Sequence, residues 1–193
     1  ALHIVMPLEN RLQSIQLLLA NGADPNIKDD HGDSPLHICI DLNLGIDVAR
    51  VLLENGTDIG IRNTEGKSVL HSAIANERHE YINLLLEYGA DIFAADTNGT
   101  SPLDMAIKQD SQALSLLINE RTVLQSDNAG NTALHCAVRS RAKLDTISAI
   151  LDAKAQIQAR NKLGETALHL AVQLDEKEAG ELLLSRGADI FAP

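Results

Sequence analysis

Apolar and polar positions along this chain come in blocks, and the blocks return with a period near 33 residues. Residues 63 to 96 carry one full cycle. Asn63-Thr64-Glu65-Gly66 is turn chemistry, with a glycine free to take positive φ. Ser68 follows as a good helix N-cap. In two sister cycles Pro35 and Pro102 come next, at the first helical position where a missing N–H costs nothing. Leu70, His71, Ala73 and Ile74 then predict a short helix. Tyr81-Ile82-Asn83-Leu84-Leu85-Leu86 predicts a second helix, apolar on almost every face and so buried between neighbours. Gly89 ends it as a left-handed C-cap, and Ala90-Asp91-Ile92-Phe93 leads to the next turn. A helix-loop-helix unit of this kind cannot bury its own apolar stripe, so it stacks on the next.

Two motifs keep the cycles in register. The first is a small residue followed by Leu-His: Ala1-Leu2-His3, Pro35-Leu36-His37, Val69-Leu70-His71, Pro102-Leu103-Asp104, Ala133-Leu134-His135 and Ala167-Leu168-His169. Successive copies are separated by 34, 34, 33, 31 and 34 residues. The second is Gly-x-Asp, at Gly22-Ala23-Asp24, Gly56-Thr57-Asp58, Gly89-Ala90-Asp91 and Gly187-Ala188-Asp189. Two motifs locked at one period mean a stacked array, not a domain around one central core. The reading is a single all-α domain over 1–193, with repeats near 1–28, 29–62, 63–95, 96–126, 127–160 and 161–193, the first and last incomplete.

Gly-x-Ser/Thr-Pro-Leu-His and Gly-Ala-Asp at this mutual spacing resemble the ankyrin repeat family, and the resemblance covers essentially the whole chain. It implies a solenoid of paired antiparallel helices with protruding β-turn fingers, whose fingers and first-helix faces form a concave binding surface. It also implies that the recurrent histidines hydrogen-bond the backbone of the turns.

Composition narrows the function classes. Aromatic residues make up 2% of the chain, so aliphatic side chains fill many thin layers and a strongly apolar groove is not expected. The formal net charge of −11 argues against a phosphate-backbone partner, and no nucleic acid is expected. Seven acidic residues (Asp24, Asp29, Asp58, Asp91, Asp96, Asp127 and Asp189) belong to turns, which leaves 20 acidic against 16 basic elsewhere. Cys39 and Cys136 sit three repeats apart at apolar helix positions, beyond the ~7 Å reach of a disulfide. Both read as reduced core residues of an intracellular protein, cytoplasmic or nuclear. Apolar runs are short, so no membrane insertion is expected.

No residue set assembles catalytic chemistry. Five of the seven histidines, His3, His37, His71, His135 and His169, occupy one place in successive repeats. Neighbouring copies lie a layer apart, ~8–10 Å, whereas ligands sit ~2 Å from a shared ion; no metal and no cofactor are expected. His79-Glu80 begins a metalloprotease pattern, but Asn83 stands where its second histidine belongs. Ser140-Arg141-Ala142-Lys143 matches Ser-x-x-Lys only as a weak pattern on a loop. Asn55-Gly56-Thr57 and Asn98-Gly99-Thr100 match the glycosylation acceptor but read as turns.

Function is expected instead at positions that the period leaves variable. The fingers offer Lys28, Asp30, His31 and Asp33; Arg62, Thr64, Glu65 and Lys67; Thr97, Asn98 and Thr100; Ser126, Asn128 and Asn131; Arg160, Lys162, Leu163 and Glu165. The first-helix ends add Asp41 and Leu42, Ala75 and Asn76, Lys108 and Gln109, Arg139 and Ser140, Gln173 and Leu174. By the resemblance these line the concave groove, with Arg62, Arg139 and Arg160 as anchors of a kind enriched at interface hot spots. The expected function is a monomeric, non-catalytic module that binds a protein or peptide. The alternative is a regulatory or substrate-recruiting domain of a larger enzyme or channel.

The pattern breaks in the fourth and fifth repeats. Asp104 replaces the histidine, two residues are lost between Lys108 and Gln112, and Glu120-Arg121-Thr122 and Lys154-Ala155-Gln156 stand in for Gly-Ala-Asp. Losing the C-cap glycine costs about 1 kcal/mol per site if positive φ is kept. Such breaks fit a functional surface and drift in a tolerant array equally. Ala1 and Phe191-Ala192-Pro193 cut through the cycle without polar caps, and Leu2, Ile4, Val5, Leu12 and Ile15 face an end, so a fragment of a longer protein is expected.

Overall fold

The structure is a computed structural model that describes residues 2–6, 10–109, 112–119 and 121–191. Ala1, Ala192 and Pro193, Glu120 and part of the shortened loop after Lys108 lie outside the described residues. The chain divides into two compact units, residues 1–102 and 103–193. The first holds α1 (Leu2–Val5), α2 (Arg11–Ala20), α3 (Pro35–Asp41), α4 (Ile46–Glu54), α5 (Val69–Ala75) and α6 (His79–Glu87). After α7 (Pro102–Gln109), which begins on the last residue of the first unit, the second holds α8 (Ala113–Leu117), α9 (Ala133–Arg139), α10 (Leu144–Asp152), α11 (Ala167–Gln173) and α12 (Lys177–Ser185). Each unit is all-α and built from the helix-loop-helix repeats that the period predicts.

Within the first unit the short helices α1, α3 and α5 pack in one row, and α2, α4 and α6 in a second. Within the second unit α9 packs on α11 and α10 on α12. Leu36, Ile40, Leu70, Ile74, Ile82 and Leu85 are fully buried in the first unit; Leu134, Val138, Ile147, Ile150 and Leu183 fill the second. These are the apolar stripes that no single repeat covers alone. Cys39 and Cys136 are free and buried, and burial pushes each thiol up to about 12.

Each first helix starts as its sequence dictates. Ser34, Ser68, Thr132 and Thr166 are N-caps in extended conformation, and Pro35 opens α3. The histidine three residues on closes the cap from the other side. Its Nδ1 accepts the cap residue's backbone N–H, at 3.0 Å for Ser68 and His71 and 3.2 Å for Thr132 and His135. A cap box normally uses Glu or Gln at that place. Here the imidazole does the same work and keeps a second nitrogen free for another partner.

Second helices end in a left-handed closure. The Ala23, Thr57, Ala90, Ala155 and Ala188 N–H groups donate to carbonyls five residues back, and Gly22, Gly56, Gly89 and Gly187 hold φ between 81 and 92°. Lys154 stands in the glycine's place and keeps the conformation, with φ 67°. Replacing Lys154 with glycine is therefore expected to raise stability by up to about 1 kcal/mol. Urea unfolding of the two proteins measures this, and a loss of stability would mean that contacts of the lysine outweigh its backbone strain.

The fourth repeat departs from the assigned register. Thr122 donates its hydroxyl to the Leu117 carbonyl five residues back, as Thr57 donates to Leu52 at 2.8 Å. Thr122 thus takes the place of the middle residue of Gly-x-Asp, one position from that given to it in Glu120-Arg121-Thr122. The cause is a second helix of only five residues, which ends in an extended Ile118 and a turn built on the Asn119 side chain.

Candidate functional site

The fingers are ladders of backbone bonds from one repeat to the next. In the first unit the Thr64 N–H and hydroxyl donate to the His31 carbonyl at 3.2 and 2.6 Å, and those of Thr97 to Glu65 at 3.0 and 2.8 Å. In the second, the Lys162 N–H donates to Ala129 at 2.8 Å. Asp29, Asn63, Asp96, Asp127 and Asn161 each fold their own finger by accepting backbone N–H groups two and four residues on. Rigid fingers present their variable side chains at fixed positions.

The recurrent histidines belong to this scaffold. Because Nδ1 accepts a backbone N–H, the proton sits on Nε2, which donates across to the next finger. His37 reaches the Lys67 carbonyl at 3.2 Å, His71 reaches Thr100 at 3.0 Å, and His135 reaches Glu165 at 3.0 Å. His3 bonds Asp33 in the same way at 3.0 Å. Burial lowers the pKa of His37, His71 and His135, the cost of charging a ring that already uses both nitrogens. Among the described residues no three His, Cys, Asp or Glu side chains form a group able to hold a metal ion.

Eight of the predicted groove residues, Ala75 among them, converge on one cleft of the first unit, with a volume of about 380 Å³. His31, Asp33 and Asp41 form one side, and Thr64, Glu65, Lys67 and Asn76 the other. Sequence reasoning missed Asn63 and Ser72 in its lining. Asn63 looked like a turn-opening residue, equivalent to Asp29 and Asp96, and Ser72 a helix residue; only stacking turns both inward. Asn63 Nδ2 donates to Asp33 Oδ1 at 3.0 Å, and Asn76 Nδ2 to Asp41 Oδ1 at 3.0 Å. Lys67 Nζ pairs with Glu65 at 2.5 Å, which raises the lysine's pKa. Burial raises the carboxyl of Asp41, helped by the nearby Asp33 charge and opposed by Ser72 and Asn76.

The other predicted residues are placed apart from this cleft. Lys28, Asp30 and Asn98 are exposed on fingers of the first unit. Arg62 is half-buried, and its guanidinium donates to the Gly66 carbonyl at 3.0 Å and to Ala95, strapping two turns together. In the second unit Lys108, Gln109, Asn128, Arg160 and Lys162 are exposed. Arg139 faces Asp104 at 3.7 Å and Cys136 Sγ at 3.4 Å, while Ser140 donates to Asp104 at 3.3 Å. Asp104, which breaks the histidine row, thus receives two side chains of the following repeat, and Ser140 meets a carboxylate. Glu165 is held by Asn161 and Gln173, whose bonds lower its pKa.

Comparison with known proteins places these features in context. A family model for ankyrin repeats matches in three copies, over residues 2–96, 90–161 and 123–193. Human B-cell lymphoma 3 protein is 44% identical over 70 residues, and its mouse homolog 43%. Each match spans 34% of this chain and 15% of the relative. Among solved structures, the ankyrin repeat domain of Bcl-3, a member of the IkappaB protein family, superposes with a TM-score of 0.73. That match is 24% identical and covers 97% of this chain and 86% of the other. A chain from the Bdellovibrio bacteriovorus complex of the Bd0816 predatory endopeptidase with immunity protein Bd3460 gives 0.60, at 23% identity, covering 96% of this chain and 97% of that one. At these identities the structures speak for the fold alone.

Proposed function

Because the chain belongs to the ankyrin repeat family, whose domains are typically non-catalytic protein-interaction modules, we propose that it docks a protein or peptide on its finger and first-helix surface. The observation that carries this reading is the cleft of the first unit, where side chains from two adjacent fingers and two first helices meet around about 380 Å³. The fingers on either side are tied by backbone bonds, so a ligand meets a surface already ordered and little conformational entropy is lost. The polar lining suits a segment recognised by hydrogen bonds and charge rather than by aromatic anchors. Two buried free thiols support an intracellular setting, and no helix among the described residues is long and apolar enough to cross a membrane.

Selection of displayed peptides against the full chain tests the proposal. An enriched peptide is expected to shift the amide resonances of Thr64, Glu65, Lys67 and Asn76. Asn76→Arg is expected to weaken it about tenfold, the scale of one charge-assisted contact. Shifts confined to the second-helix face around Arg50, Glu54 and Glu87 would overturn the assignment of the surface.

A further inference from the structure

We propose that the cleft of the 1–102 unit receives a cationic side chain of the partner, an arginine on an extended segment, held between Asp33 and Asp41. The inference rests on the docking reading above and names the chemistry of what docks.

Several donors of the cleft are engaged within the protein. Asn63 Nδ2 gives to Asp33 Oδ1, and Asn76 Nδ2 gives to Asp41 Oδ1 and to the Ser72 carbonyl, the last at 2.9 Å. The Thr64 hydroxyl gives to the His31 carbonyl, His71 Nε2 to Thr100, and Lys67 is paired with Glu65. Asp33 and Asp41 keep acceptor capacity beyond these bonds. Among the described residues neither carboxylate has a lysine, arginine or histidine at ion-pair distance. The lining carries Asp33, Asp41 and Glu65 against Lys67 as its one lysine or arginine.

Each carboxylate accepts an asparagine N–H of the neighbouring repeat at Oδ1, and Asp41 also feels the Ser72 hydroxyl. Asp41 already feels burial first and the Asp33 charge after it, both of which favour its neutral form. A cation between them offsets both effects. At about 380 Å³ the cleft is at the small end of ligand-sized sites (~300–1,000 Å³), enough for one long side chain but not for a helix. Between the two biological cations, guanidinium fits better. Its planar fork offers five donors in fixed directions for two separated acceptors, whereas lysine is a strongly hydrated point charge.

The test is a titration of the isotope-labelled full chain with four capped tripeptides, Gly-X-Gly, where X is arginine, citrulline, lysine or glutamate. Arginine is expected to shift the side-chain amides of Asn63 and Asn76 saturably. Citrulline, the same shape without charge, should bind about tenfold more weakly, and glutamate should leave these resonances unmoved. Asp33→Asn with Asp41→Asn keeps the oxygens that Asn63 and Asn76 use, and is expected to abolish the preference for arginine over citrulline. Equal response to arginine and citrulline, or no saturable shift with arginine, overturns the proposal. Saturation by glutamate at the same amides also overturns it, yet leaves the docking reading standing. Peptides selected for binding that map only to the second-helix face would remove both.

Discussion

Replacing Gly66 with alanine is expected to destabilise the first unit by about 3 kcal/mol, while the same change at Gly164 should cost only about 1 kcal/mol. The two glycines occupy the same finger position and have nearly the same backbone, with φ of +73° and +81°. For any L-residue that conformation costs about 1–2 kcal/mol. What separates them is space. A Cβ on Gly66 would lie 2.8 Å from the Thr97 backbone nitrogen and 3.3 Å from the Asp96 carbonyl carbon, whereas one on Gly164 meets nothing within 4 Å. The obstacle at Gly66 is backbone and cannot rotate away. Relief requires the next finger to move, which stretches both bonds from Thr97 to the Glu65 carbonyl. Gly32 repeats the situation one layer earlier, 2.6 Å from the Thr64 nitrogen, and should respond like Gly66. Urea unfolding of the three variants measures the contrast. Equal losses at Gly66 and Gly164 would mean that backbone conformation alone sets the cost.

Mild acid is expected to destabilise the protein well above the carboxylate range. His37, His71 and His135 have folded pKa values lowered by burial, and each folded ring must stay neutral to accept a backbone N–H at Nδ1. A depressed folded pKa means that the unfolded chain binds more protons as pH falls below ~6.5, the ordinary histidine value. The stability these rings contribute is therefore complete above about pH 6.5 and is lost as pH drops through the lower folded values. One such group changes unfolding free energy by at most about 1.4 kcal/mol per pH unit inside that window, and three by at most about 4 kcal/mol. Unfolding free energies measured between pH 8 and 5 should show this slope. His71→Gln can keep the cap bond but should lower overall stability through the lost bond to Thr100, and reduce the slope by about a third. An unchanged slope would show that the histidine row does not govern the acid response. His79, outside the row, provides the control substitution.

The same histidines show how far periodicity carries. Their recurrence at one position predicts a shared role, and the family resemblance assigns it to the turns. The bonds to carbonyls about 30 residues on bear that out for His3, His37, His71 and His135. Caps, second-helix ends and buried stripes were legible for a related reason: each depends on residues within a few positions of one another. The fourth repeat was harder to place, because a helix shortened to five residues ends through an Asn119 turn that has no counterpart in its neighbours.

The candidate site was legible only as a set of positions. Counting fingers and helix ends named His31, Asp33, Asp41, Thr64, Glu65, Lys67 and Asn76, and these line one cleft. Counting did not reveal Asn63 and Ser72 beside them, and it ranked Arg62 as an anchor although its guanidinium straps two turns. Arg62, Lys67 and Lys162 look alike in sequence as finger cations. Whether a cation is engaged by a carbonyl, by a neighbouring carboxylate or left outward depends on what the adjacent layer brings within reach.

By itself, then, the sequence determined the repeat, its helices, their caps and the aliphatic stripes that must stack. These follow from backbone conformation and from periodic burial, which act over a few residues and repeat with the chain. Tertiary structure alone decided which glycines touch a neighbouring finger and which carboxylates meet an asparagine of the next layer. Asn63 meets Asp33, and Asn76 meets Asp41, across separations of 30 and 35 residues. Such meetings are set by the packing of one layer on the next, where a shift of an ångström makes or breaks a hydrogen bond.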